Sequence, residues 1–422
     1  MNPQVLSKIK TGFNCLFASV FLLMLSLPLL EQSFHFAPEY EMVPNRYIRE
    51  KPEFAWDKLL TTWPDDYEGY YTDNFGLRNH LVRWNSIVKV VWLHIPISER
   101  ILIGRDKKTL FFNGSEGSTI SDYRGSNLYT EEDLELIVKK FRELKAWYDL
   151  QGIKYAVCIV PNKATIYPER VPRRYVKVSQ TTRMDQFINA LRENTDILVI
   201  DVRPMLLEAK ESRELYYHND THWNDYGAFI AYEEMMKQLS TLIPGLEPLP
   251  KSNFLFTKQK AKQEDLLRYM NLSGTETESV YTASPLFKPK WQPVNPPLGL
   301  YEHPEDFYAW SALNDDQSLP KALFIRDSFT TALGQFLVNH FSELHLSPLQ
   351  IPEHIRNEVR ATKELKPDLV VYQLVERYLG GMCVENPVEI QRAVKEAENG
   401  VAGEAEGDAA DDAVENVMDE TE

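Results

Sequence analysis

The chain has 422 residues, 43% of them hydrophobic and 12% aromatic, enough for one large domain or two modest ones with a substantial core. Its formal charge of −16 is concentrated at one end: Glu396–Glu422 carries eleven acidic residues and neither Lys nor Arg, which leaves about −5 for the rest. Such a mildly acidic body lacks the basic footprint of a nucleic-acid binder, so no nucleic-acid partner is expected.

Lys8 and Lys10 precede a mostly apolar run, TGFNCLFASVFLLMLSLPLL, at residues 11–30. Twenty helical residues at ~1.5 Å each span roughly 30 Å, the thickness of a bilayer core. LPLLEQ lacks the small-x-small site of a cleaved signal peptide, which favours an uncleaved signal anchor over a cleaved signal or a buried helix. With lysines on the N-terminal side, residues 1–10 are expected as a cytoplasmic tip. The remainder then lies outside the cytoplasm, in a bacterium in the periplasm, tethered to the inner membrane. Cys15, Cys158 and Cys383 fit neither a zinc spacing nor a disulfide framework.

Residues 31–53 read as a linker and 54–395 as the folded body, with a helix expected at Asn79–His94. TEEDLELIVKKFRELKAWYDL (130–150) is a helix opened by Thr130 and Asp133 at capping-box spacing. IKYAVCIVP (153–161) is a buried strand ended by proline; Thr182–Glu193 is a helix and DILVIDV (196–202) a second strand. A helix over Asp225–Leu239 precedes a Pro- and Lys-rich stretch, 244–320, expected as an insertion with one short helix at Gln263–Met270. KALFI (321–325) is a third strand, followed by an amphipathic helix over 328–341; ELHL (343–346) and PDLVVYQL (367–374) are two more, with a helix at 353–365 between them. Buried strands alternating with helices predict an α/β fold, a mostly parallel sheet covered on both faces. The tail 396–422 lacks the apolar content for a core and is expected to be disordered.

Reactive groups in such a sheet gather beyond the C-terminal ends of the strands. VPNK (160–163), FIRDSF (324–329) and YQLVER (372–377) stand there. Ser328 follows a buried strand at the expected start of a helix, whose free N–H groups would stabilise negative charge developing in acyl transfer. Ser328 or Asp327 could equally be a simple N-cap. A nucleophilic serine needs a base and an orienting carboxylate. Asp220 and His222, in YYHNDTHWN (216–224), provide that pair, since i, i+2 spacing lets the carboxylate take Nδ1–H while Nε2 faces outward. A capping turn with an incidental histidine is the competing reading. If the segment is extended, His218, Asp220 and His222 share one face and could ligate zinc. The other histidines form no second cluster, so no metal or cofactor is expected. Asn162 and Lys163 are candidates to complete an oxyanion site, and Arg377 to contact an acidic sugar or pair with Glu376. Tyr216, Tyr217 and Trp223 could stack on sugar rings or pack in the core.

HNDTHWNDYGAFIAYEEM (218–235), VPNKATIYPERVP (160–172) and RDSF (326–329) together resemble the alginate O-acetyltransferase AlgJ/AlgX-like group of SGNH hydrolase-like proteins. NFGLR (74–78), ILIGRDKKTLFF (101–112) and LVVYQLVER (369–377) extend the resemblance over residues 70 to 380. It implies an SGNH-hydrolase-like fold and a triad of Ser328, His222 and Asp220, with Asp and His preceding Ser in the chain. It further implies acetyl transfer to the hydroxyls of an exported polysaccharide, with a membrane-bound O-acyltransferase partner supplying the acetyl group. Arg326 departs from the glycine that SGNH esterases place before the Asp-Ser pair. A periplasmic acetylesterase using the same triad and a non-catalytic scaffold of an export complex are the two rival readings.

Overall fold

The computed structural model describes residues 3–38, 48–114, 119–295, 310–348 and 354–383. The expected acidic tail, part of the linker and residues 296–309 of the expected insertion lie outside them. In chain order the helices are α1 (Pro3–Phe34), α2 (Trp63–Asn74), α3 (Arg78–Ser86, continued by a π-helical turn Ile87–Trp92), α4 (Thr119–Arg124), α5 (Glu131–Leu150) and α6 (Lys163–Ile166). They continue with α7 (Arg183–Asn194), α8 (Arg203–Ala209), α9 (Asp225–Leu239), α10 (Asp265–Tyr269), α11 (Thr330–Leu337) and α12 (His354–Leu365). The strands are β1 (Ile101–Ile103), β2 (Leu110–Phe112), β3 (Lys154–Val160), β4 (Leu198–Asp201), β5 (Phe254–Lys260) and β6 (Ser279–Pro285). β7 (Trp291–Val294), β8 (Trp310–Asn314), β9 (Lys321–Arg326), β10 (Glu343–Pro348) and β11 (Leu369–Val375) complete the set.

The chain forms two compact units, Met1–Ile103 with Gln263–Thr277, and Gly104–Lys262 with Glu278–Glu422. The body expected as a single domain from residue 54 is therefore divided at Ile103, and the middle of the expected insertion belongs with the N-terminal unit. In that unit α1 is longer than the apolar run that predicts it, and Lys10–Phe34 is long and apolar enough to cross a membrane.

The larger unit is built on a seven-stranded sheet of order β4-β3-β11-β9-β10-β8-β7. The first five strands are mutually parallel, and β8 and β7 join antiparallel at one edge. The parallel strands are the five that the buried apolar runs predict. The edge pair falls in the stretch read as an insertion and escapes a pattern search, because β7 is four residues long and contains Pro293, which only an edge position tolerates. β5 and β6 form a separate antiparallel ribbon from the same stretch.

Alternation along the central strands builds two cores. Ala156, Cys158, Val160, Phe324 and Val371 pack with Phe229 and Met235 of α9 and Leu333 and Phe336 of α11. Tyr155, Val157, Ile159, Leu323 and Tyr372 face Phe141 of α5, Phe187 of α7 and Val359 of α12. Both sheet faces are thus dry and helix-covered, which is why the central strands read as unbroken apolar runs. The capping box expected at Thr130 is present, and Thr182 with Asp185 forms a second.

Candidate active site

β3, β11 and β9 are adjacent and parallel, so Asn162, Arg377 and Ser328, each within two residues of a strand end, come to one edge of the sheet. Buried carboxylates lace the three ends together. Asp327 Oδ2 accepts the Val375 N–H at 2.5 Å, and its Oδ1 accepts Phe329 N–H at 2.9 Å and Gln373 Nε2 at 3.1 Å. Glu376 Oε2 accepts Asn162 N–H at 2.8 Å and the Thr165 hydroxyl at 2.6 Å. Burial pushes both carboxyls above their ordinary values, and the hydrogen bonds they receive pull the other way. The sequence offers Asp327 as a cap and Glu376 as a partner of Arg377, but not this lacing of strand ends; its signal is an acid one or two residues past a buried apolar run.

The turn carrying Ser328 is tighter than expected. α11 begins at Thr330, two residues later than the apolar period predicts, and the Asp327 carboxylate, not the Ser328 hydroxyl, accepts the Phe329 N–H of the turn. The Ser328 hydroxyl is left for another partner. His222 Nε2 lies 2.7 Å from it, and His222 Nδ1 lies 2.6 Å from Asp220 Oδ1. Asp220 also accepts the His222 backbone N–H at 3.0 Å, so one carboxylate fixes both the ring and the chain that bears it. The Asp220 side chain is 3% exposed and that of His222 24%, which keeps the carboxylate dry while the imidazole stays reachable.

The loop bearing this pair is a small hairpin, not an extended run. Tyr216 bridges antiparallel to Trp223 and residues 218–222 bend between them. The bend removes His218 from the other two. Its Nδ1 lies 2.9 Å from Thr109 Oγ1, its backbone N–H goes to Glu278, and burial lowers its pKa. The three-ligand arrangement weighed for zinc is therefore not formed. Trp223 Nε1–H donates to the Phe329 carbonyl at 3.0 Å and the Tyr216 hydroxyl to the Pro161 carbonyl at 2.7 Å, pinning the hairpin to two strand ends. Tyr216, Tyr217 and Trp223 are 2%, 5% and 1% exposed, so they are core residues and unavailable for stacking on a sugar. Asn224 caps α9, its side-chain oxygen accepting from Tyr226 and Gly227 N–H at 3.0 Å each.

The secondary candidates separate. Asn162 is buried, and among the described residues neither its amide nitrogen nor its amide oxygen has a partner. Lys163 is buried too, but its ammonium donates to the Leu110 and His218 carbonyls at 2.7 and 3.2 Å, so it holds the hairpin and is not an oxyanion donor. Arg377 does not pair with Glu376. Its half-buried guanidinium lies 5.3 Å from the Phe329 ring centre and 5.8 Å from that of Phe112, with no hydrogen bond or ion pair among the described residues. Phe329 also packs 4.8 Å from the His222 ring. Arg326, in the place of a glycine, turns its guanidinium to the Asp327 carbonyl and Thr331.

Ser328 thus stands just past a central parallel strand of an α/β sheet, in contact with a histidine held by a dry aspartate, the residue types that acyl chemistry at a serine requires. The model of the SGNH hydrolase-like domain of acetyltransferase AlgX matches residues 111–342, more than half of the sequence. The chain belongs to this family of SGNH hydrolase-like acetyltransferase domains. The matched span includes Asn162, Asp220, His222 and Ser328 and stops before Arg377. Among curated proteins, the probable alginate O-acetylase AlgJ of Pseudomonas fluorescens is 26% identical over 298 residues, 64% of this chain and 70% of that one. Its Azotobacter vinelandii counterpart is 25% identical over 253 residues, 58% of this chain and 63% of that one. Among solved structures, the O-acetyltransferase domain of Pseudomonas putida AlgJ is 19% identical, with 70% of this chain and 98% of that domain covered and a TM-score of 0.44.

Proposed function

We propose that Ser328, His222 and Asp220 form a catalytic triad that transfers acetyl groups, through an acetyl-serine, to hydroxyls of an exported polysaccharide. The observation that carries this is the continuous Ser328–His222–Asp220 hydrogen-bonded relay, 2.7 and 2.6 Å per link. His222 Nε2 takes the hydroxyl proton as Ser328 Oγ attacks the acetyl carbonyl. Asp220 holds the tautomer with Nδ1 protonated and stabilises the imidazolium that forms. The tetrahedral oxyanion is met by the Asn162 amide and the Ser328 backbone N–H, for which the described residues offer no acceptor. Collapse expels the donor's oxygen with the proton from His222. The acceptor hydroxyl then gives its proton to the same imidazole, attacks the acetyl-serine, and frees Ser328.

The relatives named as alginate O-acetylases point to alginate or a similar exopolysaccharide as acceptor. Arg377, half-buried beside the Ser328 turn and without an ion pair among the described residues, suits the carboxylate of an acidic sugar; its charge also favours the ionised form of buried Asp327. A membrane-bound O-acyltransferase is the partner that supplies the acetyl group. α1 tethers the chain to the inner membrane with residues 54–395 in the periplasm. The same triad with water as acceptor would be an esterase.

The test uses the purified full chain with an activated acetyl ester. A peptide containing Ser328 should gain the mass of one acetyl group, and an added polysaccharide fragment should carry that group away. Ser328→Ala should lose at least about 10³-fold in ester turnover. Release of free acetate alone, with the acceptor unmodified, would establish the esterase instead. Turnover that survives Ser328→Ala and is abolished by a chelator would overturn the triad.

A further inference from the structure

The helix of the N-terminal unit carries its apolar residues on the wrong side for a water-soluble protein. Over α3 and the π-helical turn that continues it, the fully buried positions are Ser86 and Val90, whereas Leu81, Trp84 and Trp92 are 50%, 58% and 64% exposed. Leu81, Trp84, Val88 and Trp92 follow one another at steps of three and four residues, so they form one stripe along the helix. Leu93 and Ile95 extend it at 58% and 51% exposure, while Asn85 and Lys89, also exposed, flank it with polar groups. Scattered exposed hydrophobics are normal; a continuous stripe with two tryptophans marks a contact surface.

Its position identifies the occupant. The turn that leads into α3 is pressed against the C-terminal end of α1: a Cβ on Gly76 would lie 2.2 Å from the Pro28 carbonyl oxygen and 2.8 Å from the Gln32 nitrogen. His80 Nε2 is 2.9 Å from the Pro38 carbonyl oxygen just beyond α1. α3 therefore starts where the apolar stretch Lys10–Phe34 ends, at the level at which a spanning helix meets the headgroups. Tryptophan is enriched at that level, and a helix with an apolar stripe beside a lysine lies in the plane of the interface there. The Lys89 stem can follow the apolar stripe while its ammonium stays among the headgroups.

We propose that residues 78–92 form an interfacial helix, with Leu81, Trp84 and Trp92, and Ile95 just past its end, seated in the lipid of the leaflet that α1 leaves. This rests on the reading of α1 as a membrane anchor. Together the two helices hold the N-terminal unit at two points and remove its freedom to swing about a single tether.

The full chain is reconstituted into nanodiscs of phosphatidylethanolamine and phosphatidylglycerol, with no other protein. Single nitroxide labels are placed in turn at Cys15, at Trp84→Cys, at Trp92→Cys and at the exposed Lys139→Cys, the other cysteines being replaced. Collision with oxygen reports lipid and collision with a nickel chelate reports water. Labels at 84 and 92 should match Cys15 in favouring oxygen several-fold over the label at 139. If the Cys15 label is in lipid while those at 84 and 92 are in water, the interfacial helix is wrong and the stripe serves a protein partner. If the Cys15 label is itself in water, the anchor fails and the inference falls with it.

Discussion

Ser328 owes its position to Asp327. The carboxylate collects three N–H donors from two elements, fixes the turn after β9 and leaves the serine hydroxyl to His222. Asn162 presents the opposite case, a buried amide with no described partner. Leaving such a group unmet costs about 1–3 kcal/mol, which a fold retains where the group has a later use. If that use is to meet the oxyanion, Asn162→Ala should lower kcat by about 10²–10³-fold with little change in KM and no loss of thermal stability. Steady-state kinetics with an acetyl ester reads this directly. Arg377→Ala should act on the acceptor alone, raising KM for an acidic polysaccharide fragment while leaving turnover of a small neutral ester intact. A guanidinium stacked beside Phe329 is replaced only poorly by lysine, so Arg377→Lys should give a partial defect.

At the scale of elements, the Asp220–His222 hairpin is held by what surrounds it more than by its own hydrogen bonds. Asn224 caps α9 with its side-chain oxygen and donates its amide nitrogen to the Glu214 carbonyl at 2.8 Å, joining the start of the helix to the start of the hairpin. Gly227 lets α9 pass close behind: a Cβ there would sit 2.3 Å from the Leu215 carbonyl oxygen. Asn224→Ala should cost about 1–2 kcal/mol in urea denaturation, the ordinary worth of a cap, and should lower acetyl transfer as well because His222 shares the loop. This cap was legible in the sequence, since an Asn-Asp pair before an apolar period marks a helix start. The bend that removes His218 from its neighbours was not. It depends on Thr109 and Glu278, each more than fifty residues away in the chain.

At the scale of the whole molecule, the buried acids make stability depend on pH. Asp122 on α4 is pushed up to about 8, first by burial and then by Glu376, against the pull of Asn127 and Arg183. The folded state thus holds this proton more tightly than the unfolded chain does. Its contribution is complete below the ordinary value of 3.8 and is lost as the pH rises towards 8. Asp122→Asn keeps the shape without the titration, so its melting temperature should gain on that of the parent as the pH is raised from about 5 to about 8. The difference between the two chains cancels the opposite trend from His218, His340 and His345, whose values burial lowers.

The sequence by itself determined the five parallel strands and the helices that cover them, because burial on both sheet faces writes itself as apolar runs and amphipathic periods. It also determined the residue types for the chemistry and the apolar run of the N-terminal helix. Only the tertiary structure decided which of them meet. Ser328 and His222 are 106 residues apart, and their 2.7 Å contact depends on β3, β11 and β9 lying side by side. The same adjacency ties Glu376 to Asn162, sets Arg377 where its charge lowers the pKa of Asp327, and uses Lys163 on backbone carbonyls. The edge strand β7 was hidden for a related reason: a short strand with a proline is stabilised by the neighbour it pairs with, here β8, and that pairing has no signature in the local sequence.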